Sequence, residues 1–136
     1  GEEHTHKCIT FRKGAIELPN GMCLLYPDLR QQKGKDGRPE WVYGPNATKL
    51  YAGKIVNNVV QGTARIVMTD GMLRTASRYP VVGTVHDEQI VMVPEKESEE
   101  ALSWTLQQMT LEPRYMPGIP LAADGGVHRR YGLAKT

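Results

Sequence analysis

The stretch Val81-Val82-Gly83-Thr84-Val85-His86-Asp87-Glu88-Gln89-Ile90-Val91-Met92-Val93 (VVGTVHDEQIVMV) sets three polar residues between two runs of apolar, mostly β-branched ones. Val81 to Val85 and Ile90 to Val93 read as the two strands of a hairpin, with Pro80 before the first and Pro94 after the second. His86, Asp87 and Glu88 stand at its tip, and all three can ionise or bind a metal. Strand side chains alternate, so consecutive acids normally point to opposite faces. A tight turn relaxes that rule and lets Asp87 and Glu88 converge. Hard divalent ions such as Mg²⁺ take carboxylate oxygens and keep some of their waters. Two-metal phosphoryl transfer needs several carboxylates around metals about 4 Å apart, and one Asp with one Glu is part of such a cage. A solvated polar turn is the plain alternative. The flanking runs favour a site, because they are apolar enough to bury both strands and hold the turn rigid.

Upstream of the hairpin, from about Ala47 to Tyr79, the chain has no Pro and little Gly. At about 100° per residue, Val56, Val59, Val60, Thr63, Ile66 and Val67 share one face of a long helix. The opposite face carries Lys54, Asn57, Asn58, Gln61 and Arg65. Gly71 weakens or ends the regular part. The ordinary reading of that polar face is the wet side of a surface helix. It lacks the Glu–Lys pairs usual there, however, and has amides that cost more helix stability. Amides and cations at helical spacing suit the acceptors of a nucleic-acid minor groove and its phosphates.

Toward the N-terminus, Cys8 to Phe11, Ala15 to Leu18 and Met22 to Tyr26 read as short strands, with a hairpin turn at Asn20-Gly21. Residues 31–45 are rich in charge, Gly and Pro and read as an exposed loop or a mobile hairpin. Beyond the central hairpin, Glu97 to Leu111 is an amphipathic helix with acids in its first turn. Pro113, Pro117 and Pro120 follow it, and Leu121 to Ala123 reads as an edge strand. The order of elements predicts an α+β domain, an antiparallel sheet with a long helix and a second amphipathic helix packed on one face.

The 136 residues suffice for one domain. The net charge of +2 allows a polyanion partner, and where the basic residues cluster decides whether there is one. Cys8 and Cys23 make no disulfide framework and point to a reducing cytosol. No apolar run approaches a membrane span. The chain opens at Gly1 without a Met, so it reads as a piece of a longer protein. Weaker candidates are a metal site at His4, His6 and Cys8, stacking by Trp41, Tyr43 and Tyr51, and phosphate contacts from Arg129, Arg130 and Tyr131.

Val85-His86-Asp87-Glu88 between two apolar strands resembles motif C of the family A DNA polymerases. Two further segments agree in order. Gly21-Met22-Cys23-Leu24-Leu25-Tyr26-Pro27-Asp28-Leu29 resembles the family's G-x-x-L-x-x-P-D-[IL] segment after the fingers. Asn57-Asn58-Val59-Val60-Gln61-Gly62-Thr63-Ala64 resembles N-x-x-x-Q-G-T-A on the long palm helix. The resemblance runs from about residue 15 to the end, and the Tyr51-Ala52-Gly53-Lys54 helix entry is more similar to the phage or prophage branch than to the bacterial one.

The resemblance implies that Asp87 is the motif C carboxylate for catalytic Mg²⁺, with Glu88 supporting the metal site less directly and His86 near the primer 3′ terminus. It implies minor-groove contacts to primer–template DNA from Gln61 and Asn57. The family's Arg at the start of the palm helix aligns with Gly53, and Lys54 beside it can substitute, with Arg65 further along the same polar face. Met22 and Cys23 stand where the family has basic residues. No segment resembles the family's first metal-binding motif, or the fingers helix that receives deoxynucleoside triphosphates. The expectation is therefore a C-terminal palm fragment, residues 1–136, of a polymerase acting in a bacterial host's cytoplasm. It would be inactive without the missing N-terminal part, and its Mg²⁺ site empty because one carboxylate holds the ion weakly. Two alternatives stand beside it. One is a stand-alone, non-catalytic nucleic-acid-binding module. The other is a small Mg²⁺-dependent nuclease, in which Asp70, Asp124 or Glu17 would join Asp87 and Glu88.

Overall fold

A computed structural model of the chain describes residues 2–134. Its class is α+β, with antiparallel sheets, a long helix and a second helix. The pairing is shared among three small sheets. Contacts divide the chain into two compact units, one through Ala64 and one from Arg65.

The first unit opens with β1 (His4–His6), β2 (Ile9–Arg12), β3 (Ala15–Glu17) and β4 (Cys23–Leu25), an antiparallel sheet in chain order. Its β3–β4 turn is the one read from Asn20-Gly21: Gly21 has φ +84°, and Asn20 Oδ1 accepts from the Met22 N–H at 3.1 Å. β1 was not foreseen, since a three-residue polar strand has no periodicity to detect. Residues 31–45 take the hairpin alternative. β5 (Arg30–Lys33), β6 (Pro39–Tyr43) and β7 (Thr48–Leu50) form the second sheet.

Ile16, Tyr26 and Leu50 form the core between these strands, and Tyr43, Ile55 and Val59 pack on it. Tyr26 and Tyr43 meet edge to face at 5.1 Å between ring centres, a favoured aromatic geometry. The Asn58 amide donates to the Tyr26 hydroxyl at 3.0 Å.

α1 (Ala52–Ala76) runs through both units. Its buried side differs from the face read in the sequence. Ile55, Val59, Thr63 and Ile66 point inward, while Val56 and Val60 are 61% and 60% exposed. The Tyr26–Leu50 cluster accepts one narrow stripe of the helix, and Ile55 and Val59 fill it. Apolar character alone could not rank Val56 against Ile55.

In the second unit, β8 (Val81–Val85) and β9 (Glu88–Val91) make the central hairpin. Val81 pairs with Val91 and Gly83 with Ile90, so Val82 is the extra residue of a β-bulge. After a 3₁₀ turn at Glu95–Glu97 comes α2 (Ser98–Met109), whose C-terminal end meets Gly71 and Arg74 of α1 and whose first turn meets Arg78. Arg74 donates to the Gln108 carbonyl at 2.7 Å, Arg78 pairs with Glu100, and the Arg78 guanidinium lies 4.9 Å from the Trp104 ring centre. Gly71 does not end α1. It is buried, and a Cβ there would stand 3.3 Å from Met109 Cα and 3.4 Å from the Gln108 carbonyl oxygen. Leu121–Ala123 forms no strand: three residues after Pro120 find no partner strand among the described residues. The segment instead leads to Gly125, which lies against Leu102 and Leu106 of α2, and a short α3 (Tyr131–Ala134) follows. Among the described residues, no helix is long and apolar enough to cross a membrane.

Candidate functional site

The ladder of the central hairpin closes at Val85–Glu88, which leaves His86 and Asp87 as a two-residue turn. Glu88 is therefore a strand residue rather than part of the tip. Of the two turn residues only His86 has a positive φ, +54°. A positive φ at the first central position alone is the mark of a type II′ turn, whose low-energy occupant is Gly. A residue with a Cβ costs roughly 1–2 kcal/mol in the left-handed region. Such a conformation persists where the surroundings over-determine it.

Those surroundings are visible on both sides of the turn. From α1, Arg65 Nη1 donates to the His86 carbonyl oxygen at 3.4 Å. From α3, the Tyr131 hydroxyl donates to Glu88 Oε2 at 2.7 Å. Asp87 lies between these two anchored residues. It is exposed, and its carboxylate has no hydrogen bond or ion pair among the described residues. The turn thus presents one open acid between a backbone carbonyl held by Arg65 and a carboxylate held by Tyr131.

The polar residues of α1 divide into two sets. Asn57 and Gln61 are exposed, one turn apart, with Gln61 Nε2 donating to Asn57 Oδ1 at 3.3 Å. The other three are engaged with the fold. Asn58 holds Tyr26, Lys54 donates to the Lys49 carbonyl at 3.4 Å and lies over the Tyr43 ring, and Arg65 reaches His86. Asn57 and Gln61 keep amide edges that a ligand could read.

Among the described residues, no three His, Cys, Asp or Glu side chains come together as a metal cage. That applies to His4, His6 and Cys8, and to the proposed helpers of Asp87. Asp70 accepts from the Tyr115 hydroxyl at 3.0 Å, Glu17 pairs with Arg12 at 2.7 Å, and Asp124 accepts from the Gly125 N–H at 2.8 Å. In the tail, Arg129 donates to both Glu95 oxygens at 3.1 Å, so its guanidinium is committed within the unit. The anchoring roles of Arg65 and Tyr131 were missed in the sequence, where both read as ligand contacts. Their partners lie 21 and 43 residues away, beyond any local pattern.

No family model matches the chain, and no solved structure does. Over an alignment of 138 residues it is 30% identical to the DNA polymerase of Bacillus phage SP02. That alignment takes in 85% of this chain and 19% of the phage protein. The chain is thus related to a DNA polymerase over most of its own length, and spans about a fifth of that relative.

Proposed function

We propose that this chain is the C-terminal palm portion of a family A DNA-directed DNA polymerase of the phage or prophage branch, working in the cytoplasm of a bacterial host. What carries the reading is Asp87, an open carboxylate on a turn held at both neighbours, in a chain related to a phage DNA polymerase. Asp87 would bind Mg²⁺ directly. Glu88, engaged by Tyr131, would stand behind it. One open acid and one engaged acid fit part of a divalent site, and the remaining ligands would come from the rest of the polymerase. When bound, Mg²⁺ supplies positive charge that stabilises the attacking and leaving oxygens of nucleotidyl transfer.

The chain's own residues would position the reactants. His86, fixed by its carbonyl, would sit beside the primer terminus. Asn57 and Gln61 would contact the minor groove of the primer–template through groove acceptors common to all base pairs, which suits a sequence-independent enzyme. Lys54 would lie at the start of that track. Arg65 would bind DNA only secondarily, since its guanidinium already holds the turn. Deoxynucleoside triphosphates would enter through the fingers of the parent.

The test is primer extension by the parent polymerase and by this chain alone. The expected result is extension by the parent, loss of at least about a hundredfold in Asp87→Ala with no change in melting temperature, and none by the chain alone. Parental activity surviving Asp87→Ala would refute the assignment. The second reading is a non-catalytic nucleic-acid-binding module, for which the exposed Asn57–Gln61 pair would be the contact; the acids a nuclease would need do not converge among the described residues. That module would show salt-dependent DNA binding by the chain and no effect of Asp87→Ala in any polymerase assay.

A further inference from the structure

The β5–β7 sheet has an open aromatic face that the Asp87 site does not use. Cross-strand register puts Gln31 opposite Trp41, and Lys33, two residues along β5, lies on the same face. That face is closed where Tyr43 and Leu50 enter the core and open at Trp41, which is 48% exposed beside exposed Gln31 and Lys33. The opposite side of β6 is where Val42 is fully buried, so the strand turns its indole to water rather than lacking a core to join.

Charge accompanies the ring. Residues 30–54 hold six basic and two acidic side chains, in a chain whose net charge is only +2. Lys49 is tied to Glu40 at 2.8 Å and Lys54 to Tyr43, but Lys33 and Lys35 have no partner among the described residues. The hairpin tip that holds these two lysines is itself built. Gly34 N–H donates to the Arg38 carbonyl at 2.8 Å, Gly37 N–H to the Gly34 carbonyl at 2.9 Å, and Asp36 Oδ1 accepts from the Arg38 N–H at 3.2 Å.

We propose that this face binds single-stranded nucleic acid, with Trp41 stacking on an unpaired base, Gln31 meeting the base edge, and Lys33 and Lys35 meeting phosphates. An exposed ring flanked by free cations is the arrangement that grips a strand without reading its sequence. The strand must be single, because in a duplex each base face is covered by its neighbours and the ring has nothing to stack on. The inference stands on β5–β7 alone and is independent of Asp87.

The experiment uses the 136-residue chain carrying Trp104→Phe, so that emission comes from Trp41 alone of the two tryptophans. Oligothymidylate, a duplex of equal length and heparin are titrated in turn. Expected are saturable quenching by oligothymidylate and little by the other two. Affinities of all variants are read separately from the anisotropy of a fluorescein-labelled oligothymidylate, where Trp41→Ala should bind about tenfold more weakly, with part of the loss recovered in Trp41→Phe. Lys33→Gln with Lys35→Gln should flatten the dependence of log affinity on log salt by about 1.4, as expected for two lost phosphate contacts. All the substituted sheet residues are exposed, and circular dichroism verifies that each variant folds. Oligothymidylate binding without quenching overturns the proposal. So does quenching by heparin or duplex of equal size, or unchanged affinity in Trp41→Ala. A parent polymerase that extends primers while this face fails the titration would refute this inference and leave the Asp87 assignment intact.

Discussion

His86 carries the strain of the central turn, and its side chain is one of the few that tolerates the position. Histidine, asparagine and aspartate enter the left-handed region more readily than other residues with a Cβ. A β-branched residue there meets its own backbone. His86→Val should therefore cost about 2 kcal/mol in urea unfolding, while His86→Asn or His86→Gly stays within about 0.5 kcal/mol of the parent sequence. Equal destabilisation by all three would mean that the imidazole rather than the backbone holds the turn. Asp87 stood out in the sequence because two apolar runs stop abruptly on either side of His86, Asp87 and Glu88. Its openness did not, since that depends on Tyr131 taking the neighbouring acid and Arg65 taking the neighbouring carbonyl.

At the level of elements, α1 teaches what periodicity can and cannot resolve. The helix itself was plain from the Pro-free run and its valines. Which side is buried was decided by how wide a groove Tyr26, Leu50 and their neighbours leave, a tertiary fact absent from the helix's own residues. Gly71 reads as a weak point in sequence and is a packing contact in the structure. Gly71→Ala gains up to about 1 kcal/mol of helix propensity, but its methyl would press on the backbone of α2, which cannot rotate aside. The expected net is a loss of about 1 kcal/mol. Gly62 makes the contrast: a methyl there meets Leu18 Cδ1 at 2.9 Å, the far end of a rotatable side chain rather than backbone. Gly62→Ala should leave stability within about 0.5 kcal/mol or raise it, and paired denaturant curves compare the two substitutions directly.

Taken whole, the molecule distributes its chemistry unevenly. Its positive charge is concentrated in residues 30–54, and the remainder is net acidic. The overall charge of +2 hides that division, which is why composition alone pointed to no partner. The α+β class was legible because turn-bounded strand runs and two long helical stretches occupy separate blocks of the chain. The partition into three sheets was not, because strands of three to five residues carry too little pattern to reveal which of them pair. A chain that aligns with 19% of a polymerase and presents one open acid at its central turn should not extend a primer by itself. Any extension by this chain, purified and tested without the rest of the protein, would count against its being only a portion of the catalytic machinery.

The bulge at Val82 sets where the hairpin can change length. On either side of it the ladder keeps its own phase, so a residue gained or lost at Val82 is absorbed locally and leaves the Val85–Glu88 closure in place. Between Gly83 and Glu88 there is no such slack. One added residue would rotate every side chain beyond it to the other face and carry the acid with it. Deleting Val82 should thus yield a folded chain with the Asp87 turn intact, whereas inserting an alanine after Thr84 should abolish the turn, a difference visible in amide exchange at Glu88. Insertions and deletions accumulating over evolutionary time in this hairpin are accordingly expected at a single hinge point near its base.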